Sequence, residues 1–249
     1  MVVLHTLTDY ADRLLRADGF SDYCPNGLQV EGRAEVRAIV SGVTASQALI
    51  DQAVALRADL LLVHHGFFWK GEAQPVVGLK KRRMAALLTH EISLLAYHLP
   101  LDAHPELGNN ARLGRLLGFE TEGPLNAEGI GSIGRLSRGL TARELVAVVA
   151  DGLGRKPLLI ESGPARIERV AWCTGAAQGY IEQAARLGAD AYVSGEISEQ
   201  TVHLARELGI HYLAAGHHAT ERYGVRALGE HLAERFSLEH RFIDIDNPV

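Results

Sequence analysis

Along the chain, short runs of aliphatic residues alternate with longer stretches whose apolar positions recur at helical spacing, the pattern of buried strands separated by amphipathic helices. RAIVSGVT (37–44), LLLV (60–63) and ISLLAYH (92–98) are the strand-like runs of the N-terminal half, and RVAWCTGA (169–176), AYVS (191–194) and IHYLAAGH (210–217) those of the C-terminal half. The helical segments between the first two runs of each set are copies. ASQALIDQAVALRAD (45–59) aligns with AAQGYIEQAARLGAD (176–190) at a constant offset of 131 without a gap, with eight of the fifteen positions identical. A second helical segment then precedes the third run in each half, MAALLTHE (84–91) and SEQTVHLARELG (198–209).

Strand, helix, strand in this order implies parallel pairing with helices on the sheet faces. The expected fold is therefore α/β: two related α/β units with mostly parallel sheets flanked by helices, the first over 1–124 and the second over 125–249, with a metal site between them. The turn-rich stretch FETEGPLNAEGIGSIG (119–134) holds the boundary. After it, Thr141 stands three residues before Glu144 at the head of TARELVAVVADGLG, a capping-box signature.

Open α/β sheets present ligands beyond the carboxyl ends of their strands, and both halves carry histidine and acid there. His64 and His65 end the second run of the first half; His98 and Asp102 follow its third run in YHLPLDAH, and His217 and Glu221 follow the matching run in GHHATER. The HxxxD and HxxxE spacings put each pair on one face of a helical turn. Imidazole and carboxylate without cysteine suit zinc, manganese or iron. Neighbouring side chains on a strand point to opposite sides, so His64 and His65 suit two ions better than one, or else one of them faces a metal and the other supports it from behind; Asp102 or Glu221 would bridge two ions.

Other residues read more plainly. His90, His203, His211, His231 and His240 have no carboxylate in register; Cys24 and Cys173 show no metal or disulfide spacing and read as small, partly buried residues. Phe67, Phe68 and Trp69 suit packing or a site wall, Lys70 and Glu72 are loop charges, and Asn26 and Asn110 suit turns because asparagine tolerates left-handed backbone. The net charge of −5 argues against a protein that coats duplex nucleic acid, and the cluster Lys80, Lys81, Arg82, Arg83 reads as a solvated helix face. No apolar run reaches the roughly 20 residues of a membrane span, and the N-terminal stretch lacks the features of a signal peptide, so a cytoplasmic protein is expected.

DYCPNGLQVEG (22–32), VHHGFFWKGE (63–72), YHLPLDAHPELGNN (97–110) and GHHATER (216–222) together resemble the YbgI branch of the Nif-three-like family, whose members are labelled GTP cyclohydrolase I type 2 homologues. The similarity runs from about Asp9 to the closing FIDIDNP, in the short form without an inserted domain. It implies a dinuclear centre of two divalent metal ions per subunit, held by His64, His65, Asp102, His217 and Glu221, in a ring-shaped homohexamer. It implies hydrolysis of a nucleotide or related small molecule by metal-activated hydroxide, in the family label's version an attack on the guanine imidazole carbon of GTP with loss of formate. His98 stands near the site as the first choice of general acid or base, its ordinary pKa being near 6.5. No guanine pocket, ribose clamp or phosphate loop is recognisable. The same residues also fit a metal-binding protein without turnover, a metal chaperone, store or regulator.

Overall fold

A computed structural model describes residues 1–249. In chain order it contains β1 (Val2–Val3), α1 (Leu4–Leu15), β2 (Gly27–Val30), β3 (Glu35–Val36), β4 (Ala38–Thr44), α2 (Gln47–Ala55), β5 (Leu60–His65), α3 (Gly78–Thr89), β6 (Ser93–Ala96), α4 (Leu99–Ala103) and α5 (Asn109–Leu116). It continues with β7 (Phe119–Pro124), β8 (Ser132–Leu140), α6 (Ala142–Leu153), β9 (Leu158–Ile160), β10 (Ile167–Cys173), α7 (Ile181–Arg186), β11 (Ala191–Ser194), α8 (Glu199–Leu208), β12 (His211–Ala214), α9 (His217–Phe236) and β13 (Glu239–Phe242). No helix is long and apolar enough to cross a membrane.

Two compact units result, one of Met1–Leu107 with Gly224–Asp246 and one of Gly108–Tyr223 with Asn247–Val249. These bounds differ from the expected division at 124/125. The C-terminal segment joins the first unit because β13 pairs in parallel with β4, and because Val225, Leu228 and Leu232 of α9 pack into a core with Leu4, Leu7 and Leu15 of α1. Residues 108–124 join the second because β7 pairs with β8 and Leu113 of α5 packs with Trp172.

The first unit is built on a five-stranded sheet of order β13-β4-β5-β6-β2, in which β13, β4, β5 and β6 run parallel and β2 is an antiparallel edge. Leu60, Leu61, Leu62 and Val63 of β5 are fully buried, as a strand covered on both faces must be. Alternation sorts them: Leu60 and Leu62 enter the core beneath α1 and α9, while Leu61 and Val63 enter a second core with Leu49, Ile50 and Ala53 of α2 and Leu87 of α3. Aliphatic burial of this kind stabilises by about 1.5–3 kcal/mol per side chain.

The second unit has a six-stranded sheet of order β7-β8-β10-β11-β12-β9. Its centre, β10, β11 and β12, is parallel, and antiparallel strands are added on both sides. Val170, Trp172, Ala191, Val193 and Leu213 face Leu145 and Val149 of α6. Thr141 and Glu144 form the capping box anticipated at the start of α6.

The duplication extends to hydrogen bonding. Asp59 Oδ2 accepts the backbone N–H groups of Arg37 and Ala38 at 2.7 and 3.0 Å, and Asp190 Oδ2 accepts those of Glu168 and Arg169 at 2.8 and 2.9 Å. Acceptors and donors are all related by the offset of 131. In each unit one carboxylate satisfies donors at the head of a parallel strand, where the ladder has no partner for them.

Candidate functional site

In the first unit the ends of β5 and β6 bring His64, His65 and His98 together, with one ring nitrogen from each lying within 4.8 Å of the others. His64 is completely buried, and its Nδ1 lies 2.8 Å from the carbonyl of Tyr97. A carbonyl only accepts, so Nδ1 carries the proton and Nε2 of the neutral ring is an acceptor. That Nε2 faces Asp102 Oδ1 at 3.6 Å, and Asp102 is 7% exposed. Two acceptors facing each other at this spacing, out of water, match neighbouring ligands of one cation, since zinc binds imidazole and carboxylate at about 2.0–2.2 Å. Tyr97 is itself anchored, its hydroxyl donating to Asp12 at 2.6 Å; burial and then this bond push the phenol upward from its ordinary pKa.

The rings of His64 and His65 do not diverge as strand alternation predicts. Their centroids are 4.6 Å apart and tilted by 41°. His64 and His65 are the last two residues of β5 and lie beyond its last pair with β6, Val63 with Ala96, so only β4 still flanks the strand there. Thr44 Oγ1 holds His65 Nδ1 at 3.1 Å.

His98 is the residue before α4, and its backbone carbonyl accepts from the N–H of Asp102, which closes the HxxxD turn. Its ring Nδ1 donates to Asp22 Oδ1 at 2.7 Å, which turns Nε2 toward the other two imidazoles. Asp22 also accepts from Tyr23 N, Asn26 Nδ2 and Leu99 N. Burial opposes its charge, but the bonds from His98 and Asn26 prevail and bring its pKa down to about 2. Cys24 lies close enough to Asp22 and His98 to form a ligand group with them. Its chemistry speaks against that: burial first, then the Asp22 charge, push the thiol up to about 12, and Asp22 is committed to four donors. Both cysteines are more buried than expected.

In the second unit, His217 and Glu221 occupy the first turn of α9, with His217 Nε2 3.0 Å from Glu221 Oε2. His217 Nδ1 donates to Glu196 Oε1 at 2.7 Å. Burial disfavours the imidazolium, but Glu221 and Glu196 outweigh it and raise His217 to about 9. A divalent ion at Nε2 competes with that proton for the same lone pair. Gly175 and Gly195 leave room for the pair. A Cβ on Gly175, whose φ is +69°, would lie 2.1 Å from Glu221 Oε1, and one on Gly195 would lie 2.7 Å from the His217 Cα.

Several neighbours of these residues escaped sequence reading. Asp22 is brought to His98 across 76 residues, which no local pattern signals. Glu196 had a signal, since the offset of 131 that relates the two helices maps His65 onto it and His64 onto Gly195. Asn26 and Asn110 are not left-handed turn residues. Asn26 Oδ1 accepts from His98 N at 2.8 Å, and Asn110 Oδ1 accepts from Thr174 N at 3.1 Å.

Around the imidazoles, Trp69 packs edge-on against His98 with centroids 5.1 Å apart, while Phe67 belongs to the core. Glu72 ties down this loop through Trp69 N and Lys80 Nζ, so Lys80 is not part of a wholly solvated face. His203 does have a carboxylate in register, in an exposed pair with Glu199. His211 is buried and bonded to Ser162 N, Gly163 N and the Pro164 carbonyl.

Known proteins resemble the chain over its whole length. A Pseudomonas aeruginosa protein named GTP cyclohydrolase 1 type 2 homolog is 61% identical over 251 residues, covering 100% of this chain and 99% of its own. The solved structure of protein ybgI, described as of unknown function, superposes with a TM-score of 0.97 at 51% identity, with both chains fully covered. That of TTHA1606 from Thermus thermophilus gives 0.92 at 35% identity, again over both whole chains. The family model described as Duf34/NIF3 (NGG1p interacting factor 3) matches residues 2–248, and the chain belongs to that family.

Proposed function

We propose that His64, His65, Asp102, His217 and Glu221 hold two divalent metal ions per subunit, drawn from zinc, manganese and iron, and that the protein is a metal-dependent hydrolase of the GTP cyclohydrolase type acting on a nucleotide or related small molecule. The observation that carries this reading is the fixed orientation of the His64 and His217 rings. Each donates Nδ1 to an acceptor-only oxygen and turns Nε2 toward a buried carboxylate. The name of the Pseudomonas aeruginosa relative supports the choice of reaction.

Ions so held would polarise an oxygen of the substrate and lower the pKa of water toward neutrality. His98 then serves as general acid or base, because Asp22 keeps the proton on Nδ1 and leaves Nε2 able to accept one. Trp69 and Tyr23 lie against the His98 ring and limit the directions from which water reaches it. A cytoplasmic homo-oligomer, a ring of six copies, completes the proposal.

A second reading, a metal store, chaperone or regulator, is favoured by the burial of His64, Asp102 and Glu221, which suits retention of an ion as well as turnover. The two are separated by metal analysis of purified wild type and His98→Ala, followed by assay of both on GTP and other nucleotides. The hydrolase reading expects full metal content in the variant and loss of turnover. No turnover by metal-loaded wild type on any nucleotide or phosphoester leaves the storage reading, and less than one equivalent of metal per chain ends both.

A further inference from the structure

Glu196 stands where the first unit has His65, at the same offset that relates the two copied helices. Its neighbour Gly195 replaces His64, and the space beside it excludes a side chain, since a Cβ there would lie 2.5 Å from the Gly175 carbonyl oxygen. The second unit therefore cannot repeat the paired histidines of the first. What it has instead is a carboxylate whose Oε1 sits 2.7 Å from His217 Nδ1. The backbone around Glu196 is fixed independently of its side chain: its N–H donates to the Gly175 carbonyl, and its own carbonyl accepts from the Tyr212 hydroxyl, which is otherwise buried.

We propose that Glu196 is a positioning residue that holds His217 by its Nδ1 and directs the ring's Nε2 at a divalent cation. This rests on the reading that His217 is a metal ligand. A carboxylate on the far nitrogen of a ligating imidazole fixes the ring's tautomer and direction and raises its basicity. In the first unit the Tyr97 carbonyl does this for His64. In the second unit Glu196 supplies the acceptor to His217 Nδ1. Without it, the ring loses the acceptor that fixes its direction, and Nε2 is no longer held facing Glu221.

The test uses the full-length chain stripped of metal and titrated with zinc against a chromophoric chelator, comparing wild type, Glu196→Gln, Glu196→Ala and His217→Ala. Thermal unfolding of each metal-free protein serves as the structural control. Glu196→Ala is expected to lower zinc affinity by about 10- to 100-fold, and Glu196→Gln, which keeps a neutral acceptor oxygen, by an intermediate factor. The metal-free melting temperatures should stay close to that of wild type, and cobalt substituted for zinc should show an altered visible spectrum in Glu196→Ala. Wild-type zinc affinity in Glu196→Ala beside lost affinity in His217→Ala overturns the inference and leaves the metal reading standing. Loss of one whole equivalent of zinc in Glu196→Ala, with the rest bound normally, makes Glu196 a ligand and also overturns it. Unchanged affinity in His217→Ala overturns the metal reading of that residue, and the inference with it.

Discussion

Asp59 and Asp190 provide a test of the duplicated scaffold that does not depend on any ligand. Replacing Asp59 by alanine strips the acceptor from two partly buried N–H groups, those of Arg37 and Ala38, which no strand partner can take over. An unsatisfied buried donor costs about 1–3 kcal/mol, and the partial exposure of this site favours the lower end, about 2–4 kcal/mol for the two together. The ion pair with Arg33, at 3.0 Å but with an arginine side chain 44% exposed, adds less than about 1 kcal/mol. Asp190→Ala removes the same pair of bonds in the second unit and should cost a similar amount. Asparagine can keep an oxygen where both N–H groups point, so Asp59→Asn and Asp190→Asn should lose about half as much. Urea unfolding followed by tryptophan fluorescence measures this unit by unit, because Trp69 lies in one and Trp172 in the other. An alanine variant within about 0.5 kcal/mol of wild type, or an asparagine variant as damaged as the alanine one, would refute the capping role.

Other expectations follow from single positions. Gly175→Ala forces the Glu221 carboxylate away from His217 and should lower zinc affinity about tenfold or more, whereas Gly179→Ala, which meets nothing within 4 Å, should leave it unchanged; chelator competition checks both. Gly114→Ala would set a methyl 2.6 Å from the buried Trp172 ring and should destabilise by about 1–3 kcal/mol in denaturant titration. Asp22 has a folded pKa of about 2, below its ordinary 3.8, so its contribution is complete above pH 3.8 and is lost as pH falls toward 2. That window is worth about 2 kcal/mol, and the fall in stability between pH 4 and pH 2 should be shallower in Asp22→Asn. Metal analysis of His64→Ala should show reduced metal content in a chain that still folds; retention of the full wild-type content would remove His64 from the ligand set.

Much of the scaffold is written in local pattern. LLLV can be buried on both faces only within a covered sheet, and the copied helices at 45–59 and 176–190 announce two βαβ units before any contact is known. The capping box at Thr141 and the placement of His64, His65, His98, Asp102, His217 and Glu221 at strand ends or in the helical turns that follow them belong to the same level, because each depends on residues a few positions apart.

The chain's return was not legible in this way. β13 joins β4 and draws the end of α9 into the first unit, a choice made by the fit of Val225, Leu228 and Leu232 against α1 and not by any boundary signal. Nor did alternation foretell the rings of His64 and His65, which converge beyond the last pair between β5 and β6. Asp22 meets His98 only because β2 pairs antiparallel to β6 and carries the preceding loop to that end of the sheet. Periodicity records which face of an element seeks the core, and that alone settled the class of fold and the end of the sheets where the histidines and carboxylates gather. The partner that sets the proton on each imidazole comes from packing between segments far apart in the chain, and its identity had to wait for the folded structure.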